Sequence, residues 1–233
     1  VDDVLLEGLH ALKHARRFGA AITDVRVAAR PAALELAATL APDLVPLLQA
    51  AEEVGEAGIA AATARPVPTG VLARARRPRP TLEDALRAPG PVVLLDDPRD
   101  PGNVGAAVRV AAAAGVAAVL VVGRLDPWHP VCLRGGAGLQ FAQPVLRLDA
   151  LPDDLAGRPL VALDADGDRR LADEPAGPPA PVLAFGTERH GLGAAVRARA
   201  DRTVAIPMRA GVSSLNLATS VAAVLYGRSG AAG

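Results

Sequence analysis

Cysteine, lysine and aromatic residues are almost missing from this chain. Cys132 and Lys13 are the sole examples of their kinds, and Phe18, Trp128, Phe141, Phe185 and Tyr226 make up an aromatic content of 2%. One thiol closes no intramolecular disulfide, and no Cys/His cluster has zinc-ligand spacing, so no metal is expected. Rings so scattered offer no platform on which several bases could stack. A bound nucleic acid would be gripped by backbone groups and by arginine, whose planar fork suits phosphate, although genomic base composition alone would also favour arginine over lysine. Long apolar runs are missing too. "VRVAAAAGVAAVLVVG" contains Arg109 and falls short of the roughly 18 apolar residues of a spanning helix, and "VDDVLLEGLHALKHARR" reads as an amphipathic helix rather than a signal segment. The expectation is a cytoplasmic protein with no membrane partner. Net charge is absent as well, since 25 basic and 25 acidic residues cancel, so any nucleic-acid contact must come from local patches.

What is present is enough apolar material for a real core: 51% hydrophobic residues in a chain of 233. Up to about residue 75 the pattern mixes helix and strand. Leu5, Leu6, Leu9, Leu12 and Phe18 fall at helical spacing, "DVRVAA" reads as a strand, "ALELAATL" as a helix, and "VPTGVLARAR" as a turn entering a strand. His10 and His14 stand four apart, but the intervening residues lack the glutamate of a zinc-protease helix, and a solvated helix face is the simpler reading. "RARRPRP", residues 74–80, carries four arginines and two prolines and suits an extended linker. It serves either as a plain connector or as a strap that contacts phosphate through Arg76, Arg77 and Arg79. The expected division is a small α/β unit over 1–75, a linker over 76–90 and a larger α/β domain over 91–233.

From Pro91 the pattern repeats strand, loop, helix. "PVVLLDD", "AAVLVVG", "PVLRLD", "PLVALDAD", "PVLAFGTE" and "RTVAIPM" are short apolar runs of the kind buried in a parallel sheet. Glycine and proline gather at their ends, where open sheets bind ligands.

Chemistry-bearing residues concentrate in three segments. In "DDPRDPGNVGAAVRVAAAAG" a helix opening near Asn103 would aim free amides at an anion, and Arg109 interrupts an Ala/Val helix; it either pairs with Asp96 or Asp97 or is free for function. Gly102 and Gly105 do not fit the dinucleotide-binding glycine pattern. In "LAFGTERHGLG", Gly186 permits a close backbone approach, and Glu188 either favours the next helix electrostatically or has a task of its own. In "AIPMRAGVSSLNLATSVAAVLYG" a serine at 213 or 214 can cap the final helix. Asn216 then needs its own hydrogen-bond partners or exposure, because burying its amide unsatisfied costs about 1–3 kcal/mol.

Taken in order, these segments resemble the three motifs of the SpoU/TrmH class of RNA 2'-O-ribose methyltransferases in the SPOUT superfamily: "DPGNVGAAVRVAAAAG", "FGTERHGL" and "IPMRAGVSSLNLATSVAAVLY". "DPWHPVCLRGGAGLQFAQPV" is similar to the connecting segment. The resemblance spans residues 90 to 228. More loosely, "EGLHALKHARRFGA" and "PTGVLARARRP" resemble the small RNA-binding domain that precedes the catalytic domain in rRNA and thiostrepton-resistance methyltransferases. It implies an α/β fold whose C-terminal part threads a deep trefoil knot, a cofactor S-adenosylmethionine held by Gly186, Ile206 and Leu215, and a homodimer with the site across its interface. It assigns Arg109, Asn103, Glu188, Ser214 and Asn216 to the reacting centre, with Arg109 acting in its own subunit or across the dimer. RNA is the implied partner, rRNA ahead of tRNA; a non-catalytic RNA-binding or ribosome-assembly protein on the same scaffold is the competing reading. Two positions depart from the family pattern: Arg189 stands where glycine is common, and Gly227 where an acid is frequent.

Overall fold

The structure, a computed structural model, describes residues 3–173, 179–187, 190–212 and 214–229. Within the first unit run β1 (Asp3–Glu7), α1 (Leu9–Arg17), β2 (Ile22–Val27), α2 (Arg30–Leu40), α3 (Val45–Gln49), β3 (Glu52–Glu53), α4 (Gly55–Ala62) and β4 (Val71–Arg76). Its sheet has the order β1-β4-β2-β3, antiparallel except where β2 meets β3. The first residues are therefore not one helix, as the leucine spacing suggested. Val4 and Leu6 alternate with partly exposed Asp3, Leu5 and Glu7, a period of two, and Gly8 at φ 92 ends the strand before α1 begins. Phe18 caps α1 and is exposed instead of joining its buried face.

The chain continues through α5 (Leu82–Arg87), β5 (Val92–Asp96), α6 (Pro101–Ala113), β6 (Ala118–Val122), α7 (Pro130–Gly135), β7 (Val145–Leu148), β8 (Leu160–Leu163), β9 (Arg169–Arg170), β10 (Val182–Phe185), α8 (Ala194–Arg199), β11 (Arg202–Ala205) and α9 (Leu217–Ser229). The sheet order is β7-β6-β5-β10-β8-β11-β9, and every pairing is parallel. The strands expected from the apolar runs are all present; two-residue β9 has no apolar signature and escaped notice. Strands β5, β6 and β10 are buried at every position because both faces are covered. Val93, Leu95, Val119, Val121, Leu183 and Phe185 face the α6, α7 and α9 layer, whereas Val92, Leu94, Leu120, Val182 and Ala184 face α5 and α8.

The two units share one apolar core, which includes Leu6, Leu12 and Ala73 from the first and Val108, Cys132 and Leu133 from the second. Burial pushes the Cys132 thiol up to about 12, so it sits there as a small apolar group. The arginine-rich segment is not all linker: Arg74 and Arg76 lie on β4, exposed, and residues 82–87 form α5 with Ala85 and Leu86 buried. Arg77 is committed to structure, forked onto Asp126 at 2.9 Å through both terminal nitrogens with its guanidinium 5.6 Å from the Trp128 ring centre.

Glycine sets the spacing of the helix layer over the sheet. A Cβ at Gly105 would run into the carbonyl of Cys132 and lie 2.9 Å from Gly135 Cα, so α6 and α7 touch backbone to backbone. We expect Gly105→Ala to cost about 1–3 kcal/mol by overpacking. That corresponds to a melting-temperature drop of about 2–4 °C per kcal/mol for a chain of this size, measurable by thermal unfolding; an unchanged midpoint would contradict this contact.

Candidate active site

At the C-terminal ends of β8, β10 and β11 the sheet opens into a cavity of about 390 Å³, lined by Leu163, Phe185, Gly186, Ile206, Ser214 and Leu215 among others. Its floor is made by a close chain crossing. A side chain at Gly186 would collide with the backbone of Gly191 and Leu192, so only glycine lets the segment leaving β10 pass the segment that returns. Thr187 and Gly191 exchange two backbone hydrogen bonds of 3.0 and 2.9 Å, closing that loop at its neck.

Two acids anchor the loop. Asp96, at the end of β5 and 8% exposed, accepts the Gly193 amide at 2.6 Å, and Arg197 on α8 donates to Leu192 O at 3.0 Å while pairing with Asp164 at 2.6 Å. Because Asp96 serves Gly193 and Asp97 pairs with Arg99 at 2.5 Å, neither is the partner of Arg109.

The opposite wall is the start of α9. Asn216 is exposed, and both ends of its amide are bonded: Oδ1 accepts the amides of Ala218 at 2.9 Å and Thr219 at 3.4 Å, while Nδ2 donates one hydrogen bond to Asn103 Oδ1 at 2.9 Å. Asn216, not a serine, is thus the cap of the last helix. Ser214 is exposed on the cavity wall instead. The first turn of α6 is also occupied. This helix opens at Pro101 rather than Asn103, and the Asp100 carboxylate takes the Asn103 amide at 2.7 Å, so the turn does not present that amide to an anion.

The residues singled out from the sequence therefore divide. Gly186, Ile206, Leu215 and Ser214 line one cavity, and Asn103 and Asn216 join α6 to α9 through a hydrogen bond. Arg109 is exposed on α6, does not line this cavity, and makes no hydrogen bond or ion pair among the described residues. Glu188, Arg189 and Ser213 lie outside the described residues.

Residues 90–226 match the SpoU rRNA Methylase family model. The chain belongs to that family. Among its relatives, a 23S rRNA (uridine(2479)-2'-O)-methyltransferase of Streptomyces viridochromogenes is 35% identical over 145 residues, covering 58% of this chain and 50% of the relative. Two solved structures share the whole architecture. The SpoU methyltransferase AviRb from Streptomyces viridochromogenes, in complex with AdoMet, is 27% identical with a TM-score of 0.78 over 97% of this chain and 89% of that one. An AdoMet-bound rRNA methyltransferase from Sinorhizobium meliloti is 27% identical with a TM-score of 0.79 over 97% and 87%. The matched region spans about half the length of the curated Streptomyces relative.

Within this SpoU chain, sequence reasoning missed Asp164, Thr187, His190, Arg197, Met208 and Ser220, which all line the cavity. Asp164 had a visible signal, an acid directly after the apolar strand "LVAL", where ligands gather in open sheets. Arg197 had none, since its partner lies 33 residues earlier and only the fold brings them together. The Asn216 geometry yields a prediction. Asn216→Ala removes a cap worth about 0.5–2 kcal/mol, whereas Asn216→Asp keeps the cap and loses only the donor to Asn103. Denaturant unfolding is expected to rank wild type and the Asp variant above the Ala variant; equal stability of Asp and Ala variants would contradict the capping role.

Proposed function

We propose that this chain is an S-adenosylmethionine-dependent methyltransferase acting on the ribose 2'-hydroxyl of a nucleotide in structured RNA, with rRNA ahead of tRNA as substrate. The observation that carries the reading is the convergence of Gly186, Ile206, Leu215 and Ser214 on one cavity at the sheet's C-terminal edge. Its size falls within the roughly 300–1,000 Å³ of small-molecule sites, and its lining, which mixes apolar side chains with Asp164, Thr187, His190, Arg197, Ser214 and Ser220, suits a ligand that carries both a flat ring and charged groups. The residues therefore fit the cofactor. Gly186, Ile206 and Leu215 would hold it, and it would supply an electrophilic methyl on a sulfonium.

What the protein must do is align the attacking oxygen and manage its proton, since an in-line displacement gains most from orientation. The Asn103–Asn216 bond ties the helix that carries Arg109 to the loop that forms the cavity wall. A guanidinium is a poor proton acceptor. In this reading Arg109 anchors the adjoining phosphate and stabilises charge developing on the 2'-oxygen. Glu188, Ser214 and Asn216 orient the arginine or the ribose.

Arg109 stands outside the cavity of its own chain, which supports a homodimer in which it reaches the partner's cavity. The insertion of β10 between β5 and β8 supports a knotted C-terminal segment. We retain an RNA-binding unit over 1–75 and a methyltransferase domain over 91–233; of the connector expected over 76–90, only 77–81 runs without regular structure, since Arg76 ends β4 and 82–87 form α5.

The test is transfer of a labelled methyl from S-adenosylmethionine to rRNA or tRNA, with digestion to nucleosides to place it on the ribose. Arg109→Ala is expected to lower transfer by about 10²–10³-fold, the usual loss of an electrostatic donor, while calorimetric affinity for the cofactor stays near wild type. Normal transfer by Arg109→Ala would refute its role. Failure to bind S-adenosylmethionine would favour the non-catalytic scaffold.

A further inference from the structure

The connector and the edge strand of the larger sheet enclose a second cavity, of about 350 Å³. Residues 77–80 form one wall and residues 145–147 of β7 the other. β7 is the outermost strand on its side and stands three strands from β10, about 14 Å at the usual strand spacing. The groove is therefore separate from the cavity at Gly186.

Both walls are held in place. Pro78 and Pro80 carry no N–H, which works against the connector adding to β7 as a further strand, and among the described residues no backbone hydrogen bond joins the two. The connector is pinned at its start instead: Arg77 forks onto Asp126 and lies over Trp128, whose Nε1 donates to Val145 O at 3.1 Å. Bonding along β7 alternates. Pro144 O and Leu148 O accept the amides of Val119 and Gly123 on the β6 side at 2.9 Å each, so the backbone of Val145 and Arg147 turns to the open edge. Trp128 occupies the Val145 carbonyl there, and the Arg147 amide is a donor on the same edge.

The side-chain charge lining the groove is of one sign. Arg77, Arg79 and Arg147 line it, and no carboxylate does among the described residues. Asp126 balances Arg77, whereas the acid on Arg147, Asp149, is 88% exposed and held by one bond of 2.8 Å. Such a surface pair is worth about 0–1 kcal/mol and gives way to a stronger anion. The other bond of Arg147, to Gly123 O at 2.9 Å, fixes its guanidinium and leaves further N–H donors for a ligand. Arg76 beside Arg77 in the chain, and Arg124 beside Gly123, are exposed, and their guanidiniums make no hydrogen bond or ion pair among the described residues. With Trp128 only 3% exposed, no ring is offered for a base to stack on. Guanidinium forks and a backbone amide suit phosphate oxygens, which position a nucleic acid without reading its sequence.

We propose that this groove binds the sugar-phosphate backbone of the substrate RNA, with Arg79 and Arg147 as its phosphate contacts, at a point remote from the nucleotide that is methylated. This rests on the methyltransferase reading above for the nature of the polyanion, and adds to it a positioning surface shared by the connector and the sheet edge. Of the arginines in "RARRPRP", Arg77 is then structural and Arg79 functional.

The experiment uses the full chain and its Arg79→Gln/Arg147→Gln and Arg79→Lys/Arg147→Lys variants, with deproteinised ribosomal RNA as probe and affinity measured between about 50 and 200 mM salt. The Gln variant is expected to bind about tenfold more weakly at the lower salt and to flatten the slope of log affinity against log salt by about 1.5, the share of two phosphate contacts. The Lys variant keeps the charge and is expected to keep the slope, which separates a phosphate contact from the loss of the bonds of Arg147 to Gly123 and Asp149. In turnover the loss is expected in KM for RNA, with kcat, cofactor affinity and melting midpoint near wild type. A Gln variant with wild-type affinity and slope, a Lys variant as flat as the Gln variant, or a wild type that binds no RNA overturns the proposal. If wild type binds RNA but methylates none, the methyltransferase reading fails, while the salt slopes still decide whether the groove holds phosphate.

Discussion

The passage of one chain segment against another at Gly186 is the constraint on which the rest of the site depends. There the backbone of Gly191 and Leu192 occupies the space where any side chain on residue 186 would stand. That contact lets the returning segment reach Asp96 with the Gly193 amide and places α8 so that Arg197 can hold both Leu192 and Asp164. The cavity is what remains between this crossing and the loop before α9. Its shape is a product of backbone packing, which explains why the residues expected to hold the cofactor are a glycine and two aliphatics. Their side chains carry no polar recognition, so recognition falls to backbone groups, and backbone position falls to the crossing.

A second glycine contact extends the same logic outward. Gly105 against Cys132 and Gly135 brings α6 and α7 together at backbone distance, and α7 and the turn after it are the surface on which α1 and β1 dock. Arg77, bound to Asp126 and lying over Trp128, secures the connector at another point of the same seam. The shared core from Leu6 to Val108 makes the two units one packed body, and a substrate bridging them meets groups whose relative positions are set before it arrives.

How much of this was legible in the sequence follows from which interactions are local. The parallel strands were readable because burial on both faces leaves unbroken apolar runs, "VVLLD" and "AVLVV" being the plainest. The glycine and the aliphatics of the cavity were readable because their motifs are contiguous. β1 was misread because Leu5, Leu6, Leu9 and Leu12 satisfy helical spacing by coincidence, and only pairing with β4 decides for strand. The cap of α9 was misassigned because Ser213, Ser214 and Asn216 are all competent caps, and the choice among them depends on where the chain enters the helix. Asp164 with Arg197, and Arg77 with Asp126, join residues far apart in sequence, and no spacing rule reaches across a fold.

If the close backbone approach at Gly186 builds a cofactor site, S-adenosylmethionine binds against it. A crystal structure of the chain soaked with S-adenosylmethionine tests it most directly. Ligand density is expected in the cavity against Gly186, Ile206 and Leu215, with the Thr187–Gly191 neck intact. Density elsewhere on the surface, or an empty cavity under saturating ligand, would contradict it.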